Sequence, residues 1–344
     1  MKGIRRLAQH LNISIGTVSR ALNGKPDVNE VTRKRVLEAA AEFGYVPNQS
    51  GRSLRQGTSN TIGFMIELNA ETAANSDNFF MGVFDGVQSA FARHKLDLVV
   101  LPCSTDEDPT EYLQRVVARR LVDAMIISAT HRTDNRIDLL TSAKIPFISL
   151  GRSISGSDGY PWMDLDFEGV ANSAIDRLVE HGHHRIAVAV PNNDVNLGYV
   201  FLEAYKDALE RHAIPFNPAY VIRGKSSEQG GYQIAHELLS LPERPTAILL
   251  IYELMAIGLY RRLNESGVRP GHDIAVIGFR EEPQARFLSP TLTCFRLSLR
   301  DLGITLGELL LASLPAYAEF YPQGIVHKIW PLELVEGESD AFRL

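Results

Sequence analysis

Short apolar runs alternate with segments of helical periodicity along most of this 344-residue chain, and that alternation constrains the fold more than any other feature. Buried strands are predicted at 61–66, 96–101, 124–127 and 147–150, with helices near 79–94, 110–120 and 134–143. In a second series, strands are predicted at 186–190, 220–222, 247–251 and 274–277, with helices near 168–181, 198–212, 228–240 and 253–266. Two consecutive βα series indicate two parallel-sheet lobes, with a small-molecule site expected in the crevice at the carboxyl ends of their strands.

The first 23 residues predict two short helices around a tight turn. The apolar positions 4, 7, 8 and 11 recur at helical spacing, Asn12 can adopt a left-handed turn conformation, and Ser14 is placed to cap the second helix. Three residues of the second helix are predicted to face inward, namely Val18, Ala21 and Leu22. The outward positions form a small and polar set able to enter a major groove of DNA, namely Ile15, Gly16, Thr17, Ser19, Arg20 and Asn23.

A third amphipathic helix is predicted from residue 31 to residue 43, started by Asn29 and stopped at Gly44. Its apolar residues are available to close a three-helix core, namely Val31, Val36, Leu37, Ala40 and Phe43. The segment that follows Pro47 is polar except for Leu54, which stands between Arg52 and Arg55. Leu54 is either an incidental linker contact or an apolar wedge that enters the minor groove while the arginines hold phosphates.

The net charge of the first 58 residues is opposite in sign to that of the rest of the chain. Residues 1–58 contain ten Lys and Arg residues against four Asp and Glu residues, a net charge of +6, so the whole-chain charge of −6 leaves −12 for the remainder. A helical hairpin packed on a larger domain would not need this basic bias, whereas attraction to DNA phosphates would. The candidates for phosphate contacts are Lys2, Arg5, Arg33, Lys34 and Arg55.

Several runs of the sequence resemble the lactose/galactose repressor (LacI/GalR) family of bacterial transcription regulators. In the head and hinge they are I-S-I-G-T-V-S-R-A-L-N-G-K-P-D-V, T-R-K-R-V-L-E-A-A-A-E-F-G-Y-V-P-N and G-R-S-L. In the body they are P-F-I-S-L-G-R, L-V-E-H-G-H-H-R-I, R-P-T-A-I, D-I-A-V-I-G-F and S-P-T-L-T. The resemblance implies a repressor whose hinge helix orders on DNA and whose core binds a small molecule that changes operator affinity. The C-terminus lacks a heptad tail, so a homodimer on a pseudo-palindromic operator is expected.

The predicted organisation is an α/β protein with a helix-turn-helix head at 1–46, a hinge at 47–58 and a two-lobed core at 59–344. The resemblance implies that this core is like a periplasmic binding protein and is built on parallel sheets. It also implies that the chain crosses back after Ser289, with a helix at 298–313 joining the first lobe. The first lobe is then expected at about 59–160 plus 292–322, and the second at about 161–291 plus 323–344.

Other classes of protein are disfavoured. Neither a nucleotide-binding glycine motif nor G-x-S-x-G occurs, so neither an enzyme activity nor a cofactor is expected. A transporter's solute-binding protein would share the two lobes, but it would need an export signal and would have no use for a basic head. Two cysteines and an N-terminus without a long apolar run lead us to expect a cytoplasmic location. The three histidines at 181, 183 and 184 lie at a helix-to-strand turn, so no metal site is expected.

The crevice is where the chain departs from sugar-binding members of that family. Phe201 stands where R-x-x-G-F relatives place Arg, Tyr252 and Glu253 replace the first two residues of N-D-x-x-A, and Arg280 replaces the Asp of G-[FY]-D-[DN]. The candidate effector-binding residues are Phe79, Arg152, Asp166, Phe201, Tyr252, Glu253 and Arg280.

Two interpretations of these departures are open. In the first, Arg280 and Arg152 favour an anionic effector such as a sugar acid or sugar phosphate, with Phe201 and Tyr252 stacking on it. In the second, Phe201 and Tyr252 fill the cleft and Arg280 pairs with Glu253 or Glu281, which leaves a regulator with a degenerate pocket.

Overall fold

The computed structural model describes residues 3–22, 24–45, 59–68, 78–156, 159–321 and 324–341. These residues fall into two compact units, which divide between Ser59 and Asn60. The predicted hinge at 47–58 lies outside the described residues. No helix within the described ranges is both long enough and apolar enough to cross a lipid bilayer.

The N-terminal unit contains three helices, α1 (Ile4–Leu11), α2 (Ile15–Leu22) and α3 (Glu30–Glu42). Asn12 ends α1 in the left-handed conformation, with φ 52° and ψ 45°. Ser14 Oγ accepts a hydrogen bond from the Thr17 amide at 3.0 Å and so caps α2. Asn29 caps α3 in the same way, since its Oδ1 accepts from the Thr32 amide at 2.8 Å. The predicted tight turn and both predicted caps are therefore present.

The core of this unit differs from the prediction at two positions of α3. Val31 and Leu37 are 72% and 50% exposed. The buried or partly buried stripe is formed instead by Val36, Ala39, Ala40 and Phe43. These four residues follow the i, i+3, i+4, i+7 spacing, and Leu37 lies one residue out of phase with it.

The core unit alternates strands and helices along the chain. Its elements are β1 (Thr61–Glu67), α4 (Asn78–Ala92), β2 (Asp97–Cys103), α5 (Pro109–Ala118), β3 (Ala124–Ile127), α6 (Asn135–Ser142), β4 (Phe147–Leu150), β5 (Trp162–Leu165), α7 (Phe167–Glu180), β6 (Ile186–Pro191), α8 (Asn196–Arg211), β7 (Val221–Gly224), α9 (Glu228–Ser240), β8 (Ala247–Leu250), α10 (Met255–Glu265), β9 (Ala275–Arg280), β10 (Thr293–Arg296), α11 (Leu299–Ala312), β11 (His327–Trp330) and β12 (Glu333–Val335).

The strands form two six-stranded sheets among the described residues. The first lobe contains the sheet β11-β5-β4-β3-β1-β2, and the second contains β12-β10-β9-β8-β6-β7. All neighbouring pairs are parallel except β10 with β12. The central strands β3, β4, β6, β8 and β9 are buried along their whole length, as expected for parallel strands covered on both faces. The predicted fold class is confirmed.

The predicted lobe boundaries differ from the sheets at three strands. β5 and β11 belong to the first lobe, and β10 belongs to the second. The chain therefore crosses between lobes after β5, after β10 and after β11, and α11 returns to the first lobe as expected. β11 alternates in exposure because it lies at the edge of its sheet, so it has no continuous apolar run to mark it.

Candidate DNA-binding and effector sites

The exposed face of α2 carries the predicted DNA-reading residues. Val18 and Ala21 are buried and anchor the helix, whereas Gly16 and Arg20 are exposed and Ile15 is 42% exposed. Thr17 and Ser19 are half-buried at the flanks of this face. The described residues of the predicted DNA-reading set thus lie on one side of α2, and the opposite side of this helix is buried. Four further predicted residues lie outside the described residues, namely Asn23, Arg52, Leu54 and Arg55.

Arg20 has a partner that the sequence pattern did not indicate. Its Nε lies 3.1 Å from Asp27 Oδ2, and both side chains are more than half exposed. Asp27 follows α2 in the loop before α3. No periodicity or motif marks such a pair, because its members are seven positions apart across a turn.

Arg33, which was predicted to contact DNA phosphate, forms hydrogen bonds within the N-terminal unit. Arg33 Nη2 donates to the Lys25 carbonyl at 2.7 Å and to the Val28 carbonyl at 3.3 Å. The guanidinium therefore ties α3 to the loop before it. Lys34 and Arg5 remain exposed on the surface of this unit.

The two lobes meet at loops that follow their strands. The Arg132 amide donates to the Asp194 carbonyl at 2.9 Å, and the Asn196 amide donates to the Thr130 carbonyl at 2.9 Å. Asn196 Nδ2 also donates to the Arg152 carbonyl at 2.8 Å. The loops after β3 and β4 thus hydrogen-bond directly to the segment between β6 and α8. We call the space between the lobes beside these contacts the cleft.

Arg280 ends β9 at the cleft and is only 5% exposed. Its guanidinium forms ion pairs with Glu253 and Glu282, which are themselves buried. The predicted alternative partner, Glu281, instead binds Arg296 at 2.8 Å. Arg280 is thus held between two carboxylates, so this cluster carries no excess positive charge with which to attract an anion.

Aromatic residues pack together in the core of the second lobe. Phe201 is completely buried and packs edge-on against Phe279, with ring centroids 6.4 Å apart. Phe279 stacks on Phe167 at 5.2 Å. Phe201 is therefore a core residue here rather than an exposed stacking surface, while Tyr252 is half-buried against the core.

Arg152 repeats the arrangement of Arg280. It forms an ion pair with Glu168, and its Nε lies 3.3 Å from Asp164 Oδ2. Burial raises the pKa of the Asp164 carboxyl to about 7, against the lowering effect of Arg152. The predicted effector residue Asp166 serves as the cap of α7, since its Oδ1 accepts from the Gly169 amide at 2.8 Å.

A third arginine in the first lobe is also held between two acids. Arg136 is almost completely buried, with Nη2 2.6 Å from Asp134 Oδ2 and Nη1 2.5 Å from Glu67 Oε1. His131 Nε2 lies 3.1 Å from Glu67 Oε2, and this hydrogen bond raises the pKa of the imidazole despite its partial burial. No sequence pattern marks this cluster, because its acids come from the ends of different elements.

A groove of about 380 Å³ lies between the loop after β4 and helices α7 and α8. It is lined by Arg132, Arg152, Tyr199, Glu203 and Asp207, among others. The guanidinium of Arg132 lies 4.6 Å from the centre of the Tyr199 ring. Of the seven predicted effector-binding residues, the groove includes only Arg152, so the remaining six do not line it.

The histidines near residue 182 have structural partners. His181 Nδ1 lies 2.7 Å from the Asp340 carbonyl oxygen, and His183 Nδ1 lies 3.0 Å from Thr246 Oγ1. Within the described ranges, no three His, Cys, Asp or Glu side chains are grouped so that they could hold a metal ion.

Comparison with known proteins accounts for both units. Residues 4–48 match the model for bacterial regulatory proteins of the lacI family, and residues 175–339 match a periplasmic binding protein-like domain. The chain is 32% identical over 341 residues to the HTH-type transcriptional regulator AglR of Rhizobium meliloti (strain 1021), covering 98% of this chain and 93% of that protein. The chain belongs to the lacI family of bacterial regulatory proteins. This lacI family member is therefore a DNA-binding transcriptional regulator and not an enzyme.

Solved structures agree with this assignment. The complex of the transcriptional regulator CelR with cellobiose is 25% identical to this lacI family member, with a TM-score of 0.72, covering 98% of this chain and all of that one. The Lac repressor bound to ONPG in its repressed state is 25% identical, with a TM-score of 0.80, covering 97% and 98% of the two chains.

Proposed function

We propose that this regulator represses a catabolic or transport operon by binding a pseudo-palindromic operator as a symmetric homodimer. The observation that carries the proposal is the exposed face of α2, where Gly16 and Arg20 lie above a buried Val18 and Ala21. Each dimer would place its two copies of α2 in successive major grooves, where Arg20 would bind a guanine edge and Asn23 an adenine edge.

The hinge completes this proposal. Leu54 would enter the minor groove between base steps, and Arg52 and Arg55 would hold the phosphates beside it. The net charge of +6 on residues 1–58 would supply attraction that is independent of sequence and falls steeply with salt.

Binding to natural promoter fragments tests the DNA-binding proposal. Full-length protein is expected to bind its operator at least about a thousandfold more tightly than random duplex at moderate salt. Arg20→Ala should abolish most of that preference, while Lys34→Ala should weaken binding to all sequences alike. Equal affinity of the wild-type protein for operator fragments and random DNA would overturn the proposal.

We further propose that the effector is an uncharged sugar rather than an anion. Arg136 and Arg280 are each held by two carboxylates, so an anionic ligand beside either of them would approach an excess of negative charge. Ionised carboxylates have several acceptor positions, and those not used by an arginine can receive hydrogen bonds from sugar hydroxyls. The binding of cellobiose, an uncharged disaccharide, by CelR supports the same choice.

A degenerate pocket is the second candidate function. It is favoured by the complete burial of Phe201 and by the pairing of Arg280 with Glu253, both of which fill space that a ligand would need. On this alternative, the regulator would bind its operator without responding to any sugar.

Parallel titrations separate these possibilities. Glucose and cellobiose should change operator affinity, or the fluorescence of Trp162 in β5 and Trp330 at the end of β11, more than gluconate or glucose 6-phosphate does. A response to the charged sugars alone would favour the interpretation that the effector is an anion. Flat titrations across a broad panel of neutral and charged sugars would favour the degenerate pocket.

A further inference from the structure

The contact between Arg20 and Asp27 has a geometry suited to guanine recognition. Asp27 Oδ2 lies 3.1 Å from Nε of Arg20, on the side edge of the guanidinium. A guanine is bound through O6 and N7 by two N–H groups in parallel, which the terminal Nη1 and Nη2 atoms provide at the far end of the same group. An acid at Nε and a guanine at the Nη atoms can therefore occupy one arginine together.

Gly16 lies beside the guanidinium of Arg20. A Cβ built at Gly16 would lie 3.4 Å from Arg20 Nη1, so the guanidinium lies back over the first turn of α2. A methyl group would be in ordinary contact there, but a longer side chain at position 16 would occupy the space that the guanidinium takes. Gly16 thus leaves room for the guanidinium over the first turn of α2, and Asp27 pairs with it on the Nε side.

A contribution to folding stability does not explain the ion pair between Arg20 and Asp27. Arg20 and Asp27 are more than half exposed, and ion pairs that exposed contribute little to folding. An acid on a DNA-facing surface also weakens attraction to phosphates. What the pair does provide is order in a long side chain before it meets DNA, which reduces the entropy lost when the side chain binds a base edge.

We propose that Asp27 is a specificity-determining positioning residue, which aims Arg20 at one guanine in each half-site of the operator. The inference rests on the proposed function, because it requires α2 to lie in a major groove. It assigns to Asp27 a role in the choice of base rather than in overall affinity.

The test compares base preferences of full-length variants. Starting from the operator that the wild-type protein selects, each base pair of the half-site is substituted in turn and the affinities are measured at one salt concentration. Arg20→Ala identifies the G·C pair that Arg20 reads, since the preference there should disappear. Asp27→Ala should reduce the preference at that same pair by about 5-fold to 10-fold and leave the other positions unchanged, which is part of the range expected for one bidentate contact.

Two further variants separate positioning from charge. Glu38→Ala is the matched control, because Glu38 is an exposed acid of the same unit and its loss changes the net charge equally. Both alanine variants should bind random DNA more tightly to a similar extent, but only Asp27→Ala should lose base preference. Asp27→Asn keeps an acceptor oxygen without the charge, so its preference should lie between those of the wild type and Asp27→Ala.

The outcomes are distinct. An unchanged preference in Asp27→Ala at the pair read by Arg20, or an equal loss of preference in Glu38→Ala, would overturn the inference while the proposed function stands. A uniform loss of preference at every position in Asp27→Ala, with an unaltered thermal unfolding curve, would also overturn it. Failure of the wild-type protein to select any operator would instead remove the proposed function on which the inference rests.

Discussion

The guanidinium carbon of Arg280 lies 5.5 Å from the centre of the Phe79 ring, so that a cation of the second lobe lies over an aromatic side chain of the first. Phe79 belongs to the first turn of α4, where it also packs perpendicular to Phe80. The same guanidinium is bound by Glu253 and Glu282. Arg280 therefore connects a buried ionic cluster to the opposite wall of the cleft, which links lobe closure to the residues proposed to bind the effector.

Replacing the arginine of the Arg280, Glu253 and Glu282 cluster should lower the free energy of unfolding. Arg280→Met would leave Glu253 and Glu282 buried without their partner, so we expect the free energy of unfolding to fall by about 3–5 kcal/mol. Adding Glu253→Gln and Glu282→Gln to that variant should restore most of the loss, because no buried charge of this cluster then lacks its counter-ion. Urea unfolding of the single and triple variants measures both values. Equal stability of the single and triple variants would show that the pairing contributes little.

The aromatic contact should influence lobe closure without effector. Phe79→Leu keeps an apolar side chain but removes the cation–π interaction, which is typically worth about 0.5–2 kcal/mol. We expect the equilibrium between closed and open lobes to shift about 2-fold to 30-fold toward the open form. Small-angle scattering, or spin-label distances between the lobes, would detect the change. Phe84→Leu is the control, because Phe84 packs on Phe64 in the first lobe. A comparable opening in that variant would argue against a specific role for Arg280.

The sequence predicts the central strands better than the edges. The runs at 124–127 and 147–150 coincide with β3 and β4, because strands covered on both faces are continuously apolar and short loops bound them. By contrast, β11 has the sequence H-K-I-W and is paired on one side only, so neither its composition nor its length separates it from a loop. The lobe assignment of β11 differs from the prediction for the same reason, whereas β5 and β10 are paired on both sides and differ because the chain crosses between lobes after each of them.

The charge pairing of the candidate effector residues was predicted only in part. Arg280 was expected at the cleft, and it is there. One of the two interpretations paired it with Glu253, as the structure shows, but the pattern does not reveal Glu282 as a second partner two residues later. Similarly, Glu67 and Asp134 approach Arg136 from the end of one strand and from the residue before a helix. Such pairings depend on how strand ends and loops converge in three dimensions, which periodicity does not encode.

Burial of Asp164 predicts a pH dependence of stability. The pKa of its carboxyl rises from 3.8 to about 7 because the group is desolvated, so the folded protein binds a proton that the unfolded chain releases. The resulting stabilisation is fully present below pH 4 and is lost as the pH rises toward 7 and above. Asp164→Asn should remove this contribution. The stability of the wild type relative to Asp164→Asn should therefore fall by on the order of 2–4 kcal/mol between pH 4 and pH 8. Urea unfolding at both pH values checks it, and a constant difference would contradict the prediction.

Close packing of α4 against α11 predicts a steric limit at Gly303. A Cβ built there would lie 3.0 Å from the Cα of Gly86 and would overlap the Val83 carbonyl oxygen, which belongs to the backbone and has little freedom to move. At Gly307, one turn later on α11, the nearest atom is the Ala90 Cβ at 3.0 Å, which belongs to a side chain. Alanine gains about 1 kcal/mol of helix propensity over glycine at either position, so the two substitutions differ only in their steric cost.

We therefore expect Gly303→Ala to lower the free energy of unfolding by about 1–3 kcal/mol, as is typical of overpacked interiors. Gly307→Ala, the matched control on the same helix, should change it by less than about 1 kcal/mol, because helix propensity offsets a small repacking cost. Thermal or urea unfolding of both variants decides the matter. The helices can approach closely because neither carries a side chain at their crossing. If the two variants lose the same stability, or neither loses any, the backbone contact at Gly303 is not the feature that fixes the approach of α4 to α11.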